Sequence, residues 1–357
     1  MRAALLRQAR RIVVKFGTGI LTDARKRPDQ VQLAQLVAQL AALRTAGLEP
    51  ILVSSGAVGA GMGALGFDTR PRDLAQLQAC AAVGQCRLMA MYEALFRHYD
   101  LGVAQVLLTH EDLADHTRHL NARNTLLTLL RRGLIPVINE NDAVSVTELK
   151  FGDNDRLSAL VAALLPADLL VILTTADGLL RHFDRPDCHR VPVVDTLDAS
   201  IESLASGTRS ATAVGGMITK LQAARIAARS GIPMVIASGR KFDVLRRILD
   251  HEDEGTLFVP RPGRLSSRKR WIAFFHRPAG SLSVDPGAHL ALTRSGRSLL
   301  RPGIRDIQGR FPAGAVVTIT GPDGHEFARG LTRWSADQIL AESGSDEVVH
   351  RDDLVLL

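Results

Sequence analysis

Up to about residue 250, the apolar residues of the chain alternate between two spacings. Short continuous apolar runs, typical of strands buried on both faces of a parallel sheet, alternate with longer segments in which apolar residues recur every three or four positions, as in amphipathic helices. The predicted strands are residues 12–14, 51–53, 103–109, 135–139, 169–173 and 234–237, and the predicted helices are residues 30–46, 73–98 (in two pieces), 121–132, 154–165, 217–230 and 242–249. This alternation predicts the α/β class, with a mostly parallel sheet between two layers of helices.

After residue 250 the pattern changes. Residues 251–270 are rich in charge, Gly and Pro, and the apolar runs that follow are short and separated by turn signals such as Asp285-Pro286-Gly287. Strands are predicted at residues 281–284, 315–320, 326–330 and 348–350. We therefore predict a first domain over residues 1–255, a linker over 256–270 and a small, mostly-β domain over 271–357.

Composition narrows the class of protein. The 357 residues are enough for two domains, and 46% apolar and 23% charged residues are ordinary for a soluble globular protein. The three cysteines show neither metal-ligand spacing nor a disulfide framework, which indicates a reducing cytoplasm. No apolar run reaches the length of a membrane span. The net charge of +7 is spread along the chain, and we attribute it to composition rather than to a nucleic-acid groove.

Two segments combine glycines with a lysine beside a predicted element. The first strand ends in Lys15, followed by a turn that contains Gly17. Gly215 and Gly216 precede a helix whose first turn carries Lys220. Glycines let the backbone approach a phosphate closely, and a helix N-terminus with a nearby lysine favours an anion. Each segment can also be an ordinary turn with a solvated lysine.

A third segment, residues 54–63, consists almost entirely of Ser, Gly and Ala directly after a predicted strand. We predict a loop whose exposed N–H groups could hold a carboxylate or a phosphate. The alternative is a flexible connection.

Asn, Asp and Glu form two clusters, residues 139–142 at the end of a strand and residues 153–155 at the start of a helix. Capping and turn formation explain only part of them. Amide and carboxylate groups together can accept from an ammonium group and donate to a carboxylate. The clusters therefore predict a site for a free amino acid. Together with two glycine–lysine segments they indicate phosphoryl transfer, in which a protein mostly positions groups and neutralises charge.

The motifs occur in an order that resembles the glutamate-phosphorylating branch of the amino acid kinase family. They are VVKFGT, VSSGAVGAG, LLTHEDL, LNARNTL, PVINENDAV, GDNDRLSA and GGMITKLQAA. The C-terminal part, with KRW, SLLRPGI and HRDDLVL, resembles a PUA domain. The resemblance covers nearly the whole chain and implies an amino-acid-kinase-like α/β/α sandwich followed by a PUA-like domain.

The resemblance also implies roles for individual residues. Lys15, Lys220 and Asp155 would be catalytic, the lysines as charge neutralisers at the ATP phosphates. Ser55, Asp142 and Asn154 would bind glutamate, with the α-ammonium group at Asp142. The remaining nucleotide contacts would come from Gly17, Thr174, Thr175, Val214, Gly215, Gly216, Met217, Ile218 and Thr219.

The implied reaction is transfer of the ATP γ-phosphate to the side-chain carboxylate of L-glutamate, giving L-glutamyl 5-phosphate, the first step of proline biosynthesis. Mg²⁺ would arrive with ATP, without protein ligands of its own. The resemblance further implies feedback inhibition by proline and a homo-oligomer, a dimer or a tetramer, while RNA binding by the PUA-like domain is not expected.

The chain departs from the family pattern only on the nucleotide side. Thr175 stands where the family usually has Asp, with Asp177 two residues further on. Val214 and Ile218 replace the usual Thr and Ser. Three alternatives stay open: a kinase of another small carboxylate or carbamate, an RNA-binding protein, and a kinase-like protein without activity.

Overall fold

A computed structural model divides the chain into two compact units, Met1–Arg264 and Leu265–Leu357. The structure describes residues 1–22, 29–145, 154–183, 185–206, 216–261, 263, 265–341 and 347–357. Each unit has a hydrophobic cluster of its own. Within these ranges, none of the helices combines the length and the apolar character that crossing a membrane requires.

A mostly parallel sheet organises the first unit. The strands of this unit are β1 (Arg11–Phe16), β2 (Glu49–Ser54), β3 (Val103–Leu108), β4 (Ile135–Glu140), β5 (Leu169–Thr174), β6 (Leu180–Arg181), β7 (His189–Arg190), β8 (Val193–Val194), β9 (Met234–Ser238) and β10 (Thr256–Phe258). Strands β6 and β7 pair only with each other among the described residues, in a separate hairpin. In the described part of this unit, the sheet has eight strands in the order β3-β4-β2-β1-β5-β9-β10-β8. Neighbouring strands are parallel except β9 and β10. The strand order reverses at β1, with β2 on one side and β5 on the other.

Helices cover both faces of this sheet. They are α1 (Arg2–Leu6), α2 (Thr18–Leu21), α3 (Gln30–Thr45), α4 (Ala57–Ala64), α5 (Leu74–Arg97), α6 (His110–Ala114), α7 (His116–Arg131), α8 (Asn154–Leu164), α9 (Ala199–Ser206), α10 (Met217–Arg229) and α11 (Val244–Leu249). Val13 and Val14 point to opposite faces of the sheet, yet both are fully buried. Helices α3, α5 and α11 share one core with the Val14 face, whereas α8 packs on β1 and β5 and against α10. The predicted α/β sandwich is confirmed.

The glycine-rich segment after β2 differs from the prediction of a loop. Only Ser55 and Gly56 lie outside regular structure, and residues 57–64 form α4. This helix packs closely on α5: a Cβ on Gly61 would lie 1.8 Å from the carbonyl oxygen of Cys80, and a Cβ on Gly84 would lie 1.7 Å from that of Ala57. The small residues are therefore needed for helix contact rather than for flexibility. Gly84 faces this contact without breaking α5, so the expected division of α5 into two pieces is wrong.

The second unit is mostly β. Its strands are β11 (Ser281–Val284), β12 (Leu299–Leu300), β13 (Ile304–Gln308), β14 (Val316–Thr320), β15 (Glu326–Leu331), β16 (Glu347–Val349) and β17 (Leu354–Leu356). Its helices are α12 (Ser267–Arg270), α13 (Pro286–Ser295) and α14 (Ala336–Leu340), with a π-helical turn at Trp271–Phe275 and 3₁₀ turns at Arg301–Gly303 and Arg351–Asp353. Within the described residues, β13, β11, β14, β15 and β17 form one sheet in that order, and β12 pairs with β16.

Two short segments differ from the sequence predictions. Residues 256–258, placed in the linker by composition, form β10, which is fully buried between β9 and β8. Asp285-Pro286-Gly287, predicted as a turn, starts α13 instead: the Asp285 carboxylate accepts from the backbone N–H of Ala288 at 2.7 Å, and Pro286 occupies the first helical position. A cap and a turn share the same residues, so the local sequence did not distinguish them.

The close contact between α4 and α5 can be tested with two alanine substitutions two residues apart. We expect Gly61→Ala to lower the free energy of unfolding by about 1–3 kcal/mol, because the added methyl group overlaps the backbone of Cys80. Gly63→Ala is the control, since nothing lies within 4 Å of its Cβ position. It should be neutral or stabilising by up to about 1 kcal/mol. Urea unfolding followed by circular dichroism measures both; equal effects would contradict the packing argument.

Candidate active site

The carboxyl ends of four neighbouring strands, β4, β2, β1 and β5, meet at one edge of the sheet. Parallel strands bring these ends together, and the point where the strand order reverses leaves a crevice beside β1. Helix α8 packs across all four strands. Its first residues, Asn154 and Asp155, therefore lie over the edge where Lys15 stands near the end of β1 and Ser55 follows β2.

The carboxylate of Asp155 joins two lysines from different elements. Its Oδ1 lies 2.7 Å from Nζ of Lys15, near the end of β1. Its Oδ2 lies 3.0 Å from Nζ of Lys220, in the first turn of α10. The hydroxyl of Thr219 donates to the same Oδ2 at 3.0 Å. Three predicted catalytic residues, far apart in sequence, thus form one contact group.

This group is buried, and its burial decides its chemistry. The side chain of Asp155 is 0% exposed, that of Lys15 4% and that of Lys220 8%. Charges cost much free energy to bury unless they are paired. Two ammonium groups against one carboxylate leave one positive charge in excess among the three. An anion at this place would restore the balance.

Amide and hydroxyl groups form a second cluster at the ends of β2 and β4. The Asn154 amide Nδ2 donates to the Ser54 carbonyl at 3.0 Å and to Ser55 Oγ and Asn139 Oδ1 at 2.9 Å each. The buried Oδ1 of Asn154 has no hydrogen-bond partner among the described residues. It is therefore an acceptor available to a ligand. The predicted glutamate-binding residues Ser55 and Asn154 are in direct contact.

Acidic residues continue this cluster along the chain after β4. Glu140 is buried and accepts from Ser145 Oγ at 3.2 Å. Asp142 is half-buried in the turn that follows, where the backbone N–H groups of Val144 and Ser145 donate to the Asn141 carbonyl. The turn places Asp142 at the carboxyl edge of the sheet. Asp153, the first residue of the second predicted cluster, lies outside the described residues.

Ser54 and Tyr92 form a buried polar pair beneath the amide cluster that sequence reasoning missed. Ser54 Oγ and the Tyr92 hydroxyl are 2.7 Å apart, and both residues are fully buried. Burial raises the pKa of Tyr92 well above its usual value, against the smaller opposing effect of the Ser54 hydrogen bond. The phenol therefore stays neutral and anchors the end of β2 to α5. A single tyrosine on an apolar helix gave no signal for this in the sequence.

Three of the residues predicted to bind nucleotide, Gly17, Thr174 and Thr175, lie around the end of β5. The N–H of Gly17 donates to the Leu173 carbonyl at 3.0 Å. A Cβ on Gly17 would lie 3.6 Å from Nζ of Lys15, in the space beside the lysine. Thr174 ends β5, and Thr175 is exposed, with its methyl group 3.0 Å from the Cβ position of Gly19. The structure thus brings Gly17, Thr174 and Thr175 together.

The second group of predicted nucleotide residues starts α10. Gly216 caps the helix with extended backbone, and Met217, Ile218 and Thr219 form its first turn. The Ile218 side chain is exposed, whereas that of Thr219 faces Asp155. Val214 and Gly215 lie outside the described residues.

Among the described residues, no group of three or more His, Cys, Asp or Glu side chains could hold a metal ion. Both oxygens of Asp155 already face lysine ammonium groups.

The geometry defines a class of protein. In this α/β sandwich a buried lysine pair lies beside an amide and hydroxyl cluster, groups that are chemically suited to an anion and to a small polar molecule. Residues 10–238 match the model of the amino acid kinase family, and residues 280–351 match that of the PUA domain.

Relatives along the full length are more specific. The chain is 49% identical to the glutamate 5-kinase of Geobacter sp. (strain M21), with 100% of both chains covered. It is 46% identical to that of Moorella thermoacetica, over 99% of this chain and 97% of the relative. The chain therefore belongs to the glutamate 5-kinases of the amino acid kinase family, which confirms the resemblance seen in the sequence motifs.

Two solved structures share the fold of the first unit. Carbamate kinase from Giardia lamblia bound to AMP-PNP has a TM-score of 0.53 at 18% identity, covering 71% of this chain and 99% of that one. UMP kinase from Ureaplasma parvum has a TM-score of 0.50 at 12% identity, again with 71% and 99% covered. At these identities the likeness concerns the fold alone.

Proposed function

We propose that the chain transfers the γ-phosphoryl group of ATP to the side-chain carboxylate of L-glutamate. The product is L-glutamyl 5-phosphate, and the reaction is the first step of proline biosynthesis. Full-length likeness to glutamate 5-kinases supports the reaction. The single structural observation that carries it is the buried Asp155 carboxylate with a lysine ammonium group on each of its oxygens.

The two lysines act on the transferred group. Lys15 and Lys220 approach from opposite oxygens of Asp155, so both ammonium groups are held in place before the nucleotide binds. Charge spread over the transferred phosphoryl oxygens is stabilised best by such fixed positive groups in a site that excludes water. Asp155 serves as a positioning residue for both lysines.

The acceptor side needs no general base, because a carboxylate carries no proton at neutral pH. Ser55 and Asn154 hold the glutamate by hydrogen bonds, with the buried Asn154 Oδ1 facing a donor of the substrate. Asp142, at the edge of this pocket, accepts from the α-ammonium group. The amide cluster lies at the ends of β2 and β4, next to the lysine pair at β1, so acceptor and donor meet side by side.

ATP is the phosphoryl donor expected of this kinase family. Its phosphates would lie against Gly17, Gly216 and the lysine pair, and Thr174 and Thr175 would flank the nucleoside. The donor set of the described residues does not fit a protein-bound metal. We infer that Mg²⁺ enters with the ATP phosphates and keeps several waters.

Two further expectations rest on likeness to the family. Proline carries the α-carboxylate and α-nitrogen of glutamate, and we propose that it competes for the glutamate pocket. We also expect a homo-oligomer, a dimer or a tetramer. Titration of the activity with proline tests the inhibition, and sedimentation velocity tests the oligomeric state.

A hydroxamate assay tests the acceptor. With ATP, Mg²⁺ and hydroxylamine, we expect hydroxamate formation with L-glutamate and far less with aspartate, N-acetylglutamate or carbamate. Trapping works because an acyl phosphate is attacked by hydroxylamine. Strong turnover of another acid, with none of glutamate, would refute the proposal, as would ADP release without any acceptor product.

Asp142→Ala should affect glutamate far more than ATP. Removing the partner of a bound ammonium group costs about 2–5 kcal/mol, so the glutamate KM should rise at least tenfold with little change in the ATP KM. Glu93→Ala, an exposed carboxylate near the end of α5, is the control and should change neither. Equal increases in both KM values for Asp142→Ala would contradict the assigned role.

Lys220→Ala should lower kcat by about 10²–10³, the usual loss when one fixed electrostatic group is removed from a transition state. The glutamate KM should change much less. Arg225→Ala, on the same helix, removes a surface cation paired with Glu202 and serves as control. A loss confined to KM would show that Lys220 contributes binding alone.

A further inference from the structure

We propose that the turn Gly239–Lys241, directly after β9, positions both backbone segments on the nucleotide side of the site, with Arg240 and Lys241 as positioning residues. Arg240 holds the segment after β1, and Lys241 holds the segment after β5. The inference rests on the proposed function, since it concerns ATP binding to the same edge of the sheet.

Arg240 reaches across to the helix that follows Lys15. Its guanidinium group donates to the carbonyl oxygens of Gly19 at 2.9 Å and Thr22 at 3.1 Å. Gly19 lies in α2 and Thr22 caps its C-terminal end, where backbone carbonyls have no partners within a helix. Asp29, which caps α3, lies 3.9 Å from the same guanidinium group. Arg240 thus fixes a short helix joined directly to Gly17.

The backbone of Gly239 brings the turn close enough for this contact. A Cβ at Gly239 would lie 2.6 Å from the Ile20 side chain and 3.2 Å from Cβ of Leu173. Its N–H donates to the Thr174 carbonyl at 2.9 Å, and its carbonyl accepts from Gln32 Nε2 at 2.7 Å. Residue 239 therefore touches both nucleotide-side segments, which only glycine permits here.

Lys241 points to the other segment. Its ammonium group lies 3.2 Å from Asp177 and 2.8 Å from Glu254. The hydrogen bond that Lys241 donates to the Glu254 carboxylate is the largest cause of the raised pKa of Lys241, so the lysine stays charged. Asp177 follows Thr175 by two residues and is about half exposed. Lys241 thereby sets the position of the only carboxylate in the residues from 174 to 178.

Glu254 is a buried residue that holds the ammonium group of Lys241 in place. Its side chain is 2% exposed and also pairs with Arg247 at 3.0 Å. The carbonyl of Glu254 accepts from the buried guanidinium group of Arg2 at 2.7 Å. The chain of contacts from Arg2 to Asp177 therefore begins in the core and ends at the exposed nucleotide edge.

The turn Gly239–Lys241 lies on the nucleotide side of the proposed site rather than on the glutamate side. Strands β5 and β9 lie on one side of β1, whereas the amide cluster lies at β2 and β4 on the other side. The Arg240–Asp29 and Lys241–Asp177 pairs are partly exposed and contribute little to folding stability. The buried Glu254 keeps Arg247 as a partner when Lys241 is removed. Loss of Arg240 or Lys241 should therefore change the geometry of the ATP site more than the stability of the fold.

The test compares four variants of the full-length chain: Arg240→Ala, Arg240→Lys, Lys241→Met and, as control, Arg246→Ala. Arg246 lies on the helix after the turn and pairs only at the surface, with Asp243 and Asp250. We expect the Kd for ATP–Mg²⁺, measured by calorimetry without glutamate, to rise about tenfold in Arg240→Ala and Lys241→Met, which corresponds to about 1.4 kcal/mol. The ATP KM should rise in parallel, with the glutamate KM within about twofold of wild type.

The remaining measurements separate positioning from folding. The unfolding midpoint without ligand should stay close to that of wild type, while the stabilisation by ATP shrinks as the Kd rises. Arg240→Lys, which keeps the charge but donates fewer directed hydrogen bonds, should recover part of the affinity. Unchanged ATP Kd, equal rises in both KM values, or the same effect in Arg246→Ala would overturn the inference. Calorimetry does not depend on the acceptor, so a wild-type protein inactive on glutamate would refute the proposed function alone.

Discussion

The carboxylate of Asp155 is the interaction on which the whole site depends. Lys15 and Lys220 lie in a place where water cannot stabilise them, and buried charges are costly unless they are paired. One carboxylate oxygen for each lysine supplies that pairing and holds the two ammonium groups close together. Asp155 is itself favoured in the first turn of α8, where the helix dipole is positive. Two ammonium groups beside one carboxylate make the group chemically suited to an anion.

This contact group constrains the fold around it. A residue of β1, one of α8 and one of α10 meet only if α8 crosses the sheet beside β1 and α10 packs against α8, which is the arrangement observed. The reversal of strand order at β1 puts the amide cluster on one side of Lys15 and the nucleotide segments on the other. The topology of the sheet thus separates the residues predicted to bind nucleotide from those predicted to bind glutamate, and Lys15 lies between the two groups.

Local patterns predicted the elements well because burial on both faces and amphipathic spacing are properties of neighbouring residues. Strand β11 and the strands near residues 135 and 169 were placed within a residue or two. Lys15, Ser55, Asn154 and Lys220 were predicted as site residues because each belongs to a local cluster at an element end, and their site roles stay predictions. The local sequence did not reveal contacts between residues distant in the chain. One is the close approach of Gly61 in α4 to the backbone of Cys80. Another is the pairing of β10, in a segment rich in charge, Gly and Pro, with β9 and β8 of the sheet.

Contacts between residues distant in sequence also matter on the nucleotide side of the site, where Thr175 and Ile218 depart from the family pattern. Neither residue belongs to the Asp155 contact group, so the changes leave the ion pairs of Lys15 and Lys220 with Asp155 intact. The charges that reach this edge come from residues distant in sequence: Arg240 contacts Gly19 across 221 positions, and Lys241 faces Asp177 from the end of a neighbouring strand. A carboxylate missing at one position of the β5 turn therefore does not leave the turn without charge. The Asp177 carboxylate is held by Lys241, from the turn that follows the neighbouring strand β9. A departure from a sequence motif at the end of β5 therefore has to be judged together with the residues of that turn.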